Sequence, residues 1–128
     1  DGKSVLYAGS DLFLKIYDTV NKTVNDLGLR SEPEKCVWSN DNINVYCSVP
    51  KEIPVGNYPD SWYQGEVSFN DVLWKIDTKT NAFSLLNDPI TDTGEEVDGI
   101  SLFLDNKEDN LFLINKKDSI LWSLDLKS

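Results

Sequence analysis

One apolar hexad ending in aspartate occurs three times along the chain: Phe13-Leu14-Lys15-Ile16-Tyr17-Asp18, Val72-Leu73-Trp74-Lys75-Ile76-Asp77 and Ile120-Leu121-Trp122-Ser123-Leu124-Asp125. A recurring unit that cannot bury its own apolar face must stack on its neighbours, so internal repetition restricts the fold more than any single motif. The first two copies continue into Asp18-Thr19-Val20-Asn21-Lys22 and Asp77-Thr78-Lys79-Thr80-Asn81. In such segments Asp bonds the backbone ahead of it and Asn takes a left-handed conformation, which predicts tight turns. A different hairpin lies upstream of the second and third copies. Cys36-Val37-Trp38 turns through Ser39-Asn40-Asp41-Asn42 into Val45-Tyr46-Cys47, and it aligns with Leu102-Phe103-Leu104 turning through Asp105 to Asn110 into Leu111-Phe112-Leu113.

The repeating unit therefore has four strands, a to d. The first unit supplies b (4–8), c (12–18) and d (23–27). The second supplies a (35–39), b (44–49), c (71–77) and d (82–86), and the third a (100–104), b (111–115) and c (119–125). Strands of about five residues with turn signals every eight to twelve residues predict an all-β fold, and tandem four-strand units predict a β-propeller. The expectation is a propeller fragment of about two and a half antiparallel blades. It divides into a partial blade at 1–29, a full blade at 30–87 with a loop insertion at 50–70, and a partial C-terminal blade at 88–128. Asp1-Gly2-Lys3 reads as the second half of a hairpin turn and the chain contains no Met, which suggests a piece of a larger protein, truncated on its N-terminal side and ending naturally at Ser128. Strand b of the first unit and strand c of the third then present open edges, which a homo-oligomer or the missing remainder of the propeller would pair.

Twenty-two Asp and Glu against twelve Lys and Arg give a net charge of −10, which repels nucleic-acid phosphates and anionic membranes. The chain has no His, and two Cys alone cannot build a zinc site. No apolar run reaches membrane-spanning length, so no membrane insertion is expected in this segment.

The turns and strand endings resemble those of the TolB-like, WD-repeat-like bacterial β-propellers, in which Ser-Pro-Asp-Gly-Lys joins strands a and b and an aromatic-x-aliphatic-Asp ending closes strand c. Asp1-Gly2-Lys3 corresponds to the tail of that turn, Ser39-Asn40-Asp41-Asn42 is a degenerate copy, and Asp105-Asn106-Lys107-Glu108 is a more distant one. The resemblance spans the chain apart from residues 50–70. It implies an extracytoplasmic binding scaffold, periplasmic or at the cell surface.

Alternating strand direction puts the two longest connections on one face. Pro50 to Asn70 carries Tyr58, Trp62, Tyr63 and Phe69, and Asn87 to Gly99 carries Asp88, Asp92, Glu95, Glu96 and Asp98. Connections of this length are functional or mobile. Tyr58, Trp62 and Tyr63 are candidate contact residues, because aromatics on a proline-stiffened loop offer rigid contact area; the competing reading folds them back as a satellite core. Asp92, Glu95 and Glu96 are the candidate charged contacts. The acidic loop lacks Asp-x-Asp-x-Asp-Gly spacing and reads as a solvated face rather than a calcium site. Cys36 and Cys47 fall opposite one another and admit either a cross-strand disulfide or a pair of small core thiols, since Leu102 and Leu113 hold the same positions in the third unit. Trp74 and Trp122 read as packing residues, Asp18, Asp77 and Asp125 as turn formers, and the sequon Asn21-Lys22-Thr23 as coincidental. No catalytic residue, metal or cofactor is expected. The function expected is a non-catalytic scaffold for protein or ligand binding in a bacterial surface or periplasmic protein; the alternative is a substrate-gating propeller accessory to a larger hydrolase.

Overall fold

The computed structural model describes residues 4–126, so the Asp1-Gly2-Lys3 turn and Ser128 lie outside the described residues. The fold is all-β. Its strands are β1 (Ser4–Ala8), β2 (Phe13–Asp18), β3 (Thr23–Arg30), β4 (Cys36–Trp38), β5 (Asn44–Pro50), β6 (Asp71–Asp77), β7 (Phe83–Asn87), β8 (Gly99–Leu104), β9 (Asn110–Asn115) and β10 (Ile120–Asp125). They form three antiparallel meanders, β1-β2-β3, β4-β5-β6-β7 and β8-β9-β10, so the repeated units coincide with separate sheets. The two long connections are more ordered than the sequence suggests. The first contains the short helix α1 (Asp60–Tyr63), and the second contains α2 (Pro89–Thr93) with Pro at its start and left-handed Gly94 (φ 79°) at its end.

Short-range hydrogen bonding explains the hairpins. Asp18 Oδ1 accepts from the backbone N–H groups of Val20 (2.9 Å) and Asn21 (3.1 Å), and Asp77 Oδ1 accepts from those of Lys79 (2.9 Å) and Thr80 (3.3 Å). The left-handed residue is the fourth after the Asp in both turns: Lys22 (φ 55°) and Asn81 (φ 60°). Asn21 therefore does not take the conformation expected of it. Its side chain is held by Asp18 Oδ2 at 3.0 Å, and closure from Lys22 N to Asp18 O moves the reversal one residue on. The a–b turns match each other as their alignment predicts, closing from Asn42 N to Ser39 O and from Glu108 N to Asp105 O with Asn42 and Glu108 left-handed.

Packing follows from the period-2 alternation of β5. Val45, Cys47 and Val49 face the first sheet and join Leu14, Ile16, Leu27 and Ile76 in one core. Tyr46 points the other way and joins Leu73, Val97, Leu102, Leu111 and Leu113 in a second core. The middle sheet is thus buried on both faces, between its two neighbours. Cys36 lies opposite Cys47 in register and is bonded to it, which decides for the disulfide over the free thiols; Leu102 and Leu113 fill the corresponding positions of the third sheet as core residues. Trp74 packs against the first core and Trp122 against the second, as packing residues do.

The outermost faces of the stack remain apolar. Val5, Tyr17 and Val24 lie in one cross-strand row on the first sheet, with Val5 and Val24 exposed. On the third sheet Phe103 stacks on Phe112 at 4.9 Å, beside exposed Leu121.

The turn carboxylates make stability depend on acid. Side-chain and backbone hydrogen bonds from Asn110, and one from Asp109 N, hold Asp105 below the usual carboxylate range, and backbone donation from Asn21 and Val20 does the same for Asp18. The folded chain binds these protons less readily than the unfolded chain does. Their stabilisation is therefore complete above the ordinary carboxylate pKa and is lost as pH falls through the lowered folded-state values. Asp105→Ala should destabilise the protein at neutral pH, and the gap from wild type should narrow as pH falls through and below the ordinary carboxylate range. Urea denaturation across a pH series measures this; a gap independent of pH would contradict it.

Candidate functional site

Lys35 closes a 3₁₀ turn (Pro33–Lys35) just before β4, Asp71 opens β6, and Asp98 immediately precedes β8. Separated in sequence, the three converge at one end of the sheet stack. Lys35 Nζ lies 2.6 Å from Asp71 Oδ2, is paired with Asp98 Oδ1, and donates to the Gly99 carbonyl at 2.9 Å. All three side chains are completely buried. Ionised groups at such depth persist only when paired and hydrogen-bonded. Asp71 Oδ2 accepts from Gly99 N at 2.8 Å and from the Ser48 hydroxyl, and Asp98 Oδ2 accepts from Trp62 Nε1 at 2.9 Å and Phe69 N at 3.1 Å. The Trp62 and Phe69 rings lie 5.1 and 5.3 Å from Lys35 Nζ. Burial raises the Asp71 carboxyl above the ordinary range, and Lys35 offsets part of that rise.

This cluster fixes the 50–70 insertion. Tyr58, Trp62 and Phe69 pack with Leu12 in a third core, backed by Ile53, Val67 and Ile100. Tyr58 and Trp62 are therefore not the exposed anchors of the contact reading. With 7% and 2% of their surface accessible, they hold the loop down, because the Trp62 indole N–H has its partner in buried Asp98 and the Tyr58 hydroxyl donates to the Pro54 carbonyl. Tyr63 is exposed, and its hydroxyl donates to Glu34, whose carboxylate pushes the phenol pKa up to about 12.

The acidic loop separates in the same way. Asp98 leaves the solvated face for the buried cluster, and Asp88 pairs with Lys51 at 3.0 Å. Asp92 accepts from Asn87 Nδ2, Glu95 is exposed, and Glu96 pairs with Lys117 at 3.2 Å. Among the described residues no group of three or more acidic or cysteine side chains is placed to hold a metal ion.

Above the cluster the insertion and the acidic loop enclose a polar cleft of about 380 Å³, lined by Lys51, Glu52, Pro54, Ser68, Asn70, Glu96 and Lys117. A groove of about 400 Å³ adjoins it, lined by Gly65, Val67, Ser68, Asp98, Lys116 and Lys117. The ridge between them is Lys117, which donates to Ser68 Oγ at 3.0 Å. Lys116 Nζ donates to the Trp62 carbonyl at 2.9 Å and lies 5.3 Å from its ring, tying β9's end to the insertion. Of the residues expected to make contacts, Glu96 lines the cleft, whereas Tyr63, Asp92 and Glu95 do not.

Comparison with protein-family models, with curated proteins and with solved structures finds no match to this chain.

Lys35 and Asp71 escape a reading of the sequence. Lys35 ends the charged stretch Glu32-Pro33-Glu34-Lys35 and Asp71 is a single charge before an apolar strand, which is how solvated strand ends look, and their meeting is a tertiary event. Gly99 carries a faint signal. A Cβ there would come within 2.5 Å of Ser48 Oγ, so only glycine lets Asp98 and β8 approach Asp71.

Trp62→Ala should cost about 3–5 kcal/mol, the range for a buried aromatic that leaves a cavity. Glu95→Ala, on the exposed side of the same face, should change stability by less than about 0.5 kcal/mol. Urea denaturation of both variants is the check, and equal effects would contradict the docked insertion.

Proposed function

We propose that the chain is a non-catalytic binding scaffold, a segment of a TolB-like β-propeller, whose loop face receives a segment of another protein. The observation that carries this reading is the pair of polar depressions that share Ser68 and Lys117, the second of them lined by Asp98 of the buried cluster. A rigid polar depression gives specificity without ordering cost at the moment of binding. Lys51 and Lys117 balance Glu52 and Glu96 at the cleft, and it is the chain's charge of −10 that favours a partner with basic groups. The Cys36–Cys47 bond supports an oxidising, extracytoplasmic setting.

The repeat register supports the propeller reading. Val5, Val45 and Leu111 each sit opposite the residue preceding the hexad's final Asp, namely Tyr17, Ile76 and Leu124. Val45 and Leu111 are fully buried between sheets, whereas Val5 is about half exposed. The outer face of the first sheet thus repeats a surface that the next two sheets bury, and further sheets of the same kind would cover it, from another copy or from the remainder of a propeller.

Selection of a random-sequence peptide display library on the folded chain tests the binding site. Enriched peptides should carry Lys or Arg, and Ser68→Trp, which obstructs both depressions, should weaken them by about tenfold or more without changing Tm. Peptides that bind wild type and Ser68→Trp equally would overturn the proposed site.

A further inference from the structure

We propose that Lys35 and Asp71 join in an intramolecular isopeptide bond, with Asp98 as the proton carrier, so that the buried cluster is a self-modification site. The reaction needs an amine against a carboxyl carbon, a neighbouring group to move protons, donors for the developing oxyanion, and exclusion of water. Each is present. Lys35 Nζ at 2.6 Å from Asp71 Oδ2 stands beside the carbon that bears that oxygen. Gly99 N and the Ser48 hydroxyl both donate to Oδ2, where negative charge develops on attack. The three side chains have no access to solvent, and the Trp62 and Phe69 rings flank the nitrogen.

The two carboxyl groups differ in a way that assigns their roles. Both oxygens of Asp98 are hydrogen-bonded, Oδ1 by Lys35 and Oδ2 by Trp62 Nε1 and Phe69 N, and Oδ1 is the oxygen in contact with the Lys35 nitrogen. Asp71 concentrates its donors on Oδ2, while Oδ1 is buried with no hydrogen-bond partner among the described residues. With every donor on Oδ2, Oδ1 is the oxygen free to take the proton of the neutral acid and to leave as hydroxyl. Burial favours the same neutral form of Asp71.

The step balances. Lys35 as ammonium, Asp71 as carboxylic acid and Asp98 as carboxylate are together neutral. Asp98 takes a proton from Nζ, and the amine lone pair attacks Asp71 Cγ to form the C–N bond, placing charge on Oδ2. Formation of the C–N bond draws the tetrahedral carbon toward the Asp98 carboxyl held at Nζ, which then returns its proton to the Oδ1 hydroxyl and takes a second proton from the nitrogen; the Cγ–Oδ1 bond breaks and water leaves. The products are an amide, water and a protonated Asp98, with no net charge left buried. No external oxidant or cofactor enters.

The test is the intact mass of the full chain, reduced and denatured. It should fall about 18 Da below the sequence mass, the loss of one water, and proteolysis should yield a branched peptide joining Lys35 to Asp71. Asp71→Asn should lose about 17 Da instead, since ammonia leaves, and Lys35→Arg should keep its full sequence mass. A wild-type chain of full sequence mass with trypsin cutting after Lys35 would overturn the proposal, as would water loss without the branched peptide. A branch to Asp98 would overturn the assignment of roles. The wild-type measurement decides the matter even where a variant does not fold.

Discussion

The buried ammonium that Lys35 brings to the folding chain constrains this structure more than any other single group. A charge with no access to water must be answered on every side, and here the answers come from all along the chain: Asp71 at the head of β6, Asp98 before β8, the Gly99 carbonyl, and two rings of the insertion. Removing one partner of such a cluster leaves the others unpaired at a cost of about 3–5 kcal/mol. The middle and third sheets and the insertion are therefore fixed together at one point.

Apolar packing does the rest along the stack. β5 presents Val45, Cys47 and Val49 to one neighbour and Tyr46 to the other, so the middle sheet belongs to two cores at once. Cross-sheet hydrogen bonds at the turns add register, with Asn25 and Asn81 exchanging side-chain hydrogen bonds between the first and second sheets and Asn40 N donating to Glu108 between the second and third. Sheet stacking of this kind leaves the two end faces apolar, as Val5, Val24, Phe103 and Leu121 show.

What could be read from the sequence was whatever local chemistry repeats. All ten strands follow from the hexads and the Asp-led turns, because strand alternation and Asx bonding act over a few residues. Hairpin register set Cys36 opposite Cys47 but left the disulfide and a pair of free thiols both open. Lys22 replaced Asn21 as the left-handed residue because turn closure, rather than residue preference, chose the position. The insertion was ambiguous for a deeper reason: whether Trp62 faces solvent or core depends on Asp98, 36 residues away, and on Lys35 beyond it. Long-range charge pairing leaves no periodic trace, so the buried cluster left only the faint signal of Gly99 in the chain.

Hydrogen exchange at the Trp62 indole N–H, followed by NMR, tests the central claim that the buried cluster holds the insertion as part of the fold. If Nε1 donates to Asp98 inside the protein, its exchange should be slowed to the range of the β5 and β6 backbone amides, since both open only with the core. Exchange as fast as that of an exposed loop, with β5 and β6 still protected, would show an insertion detached from the cluster and would contradict the account.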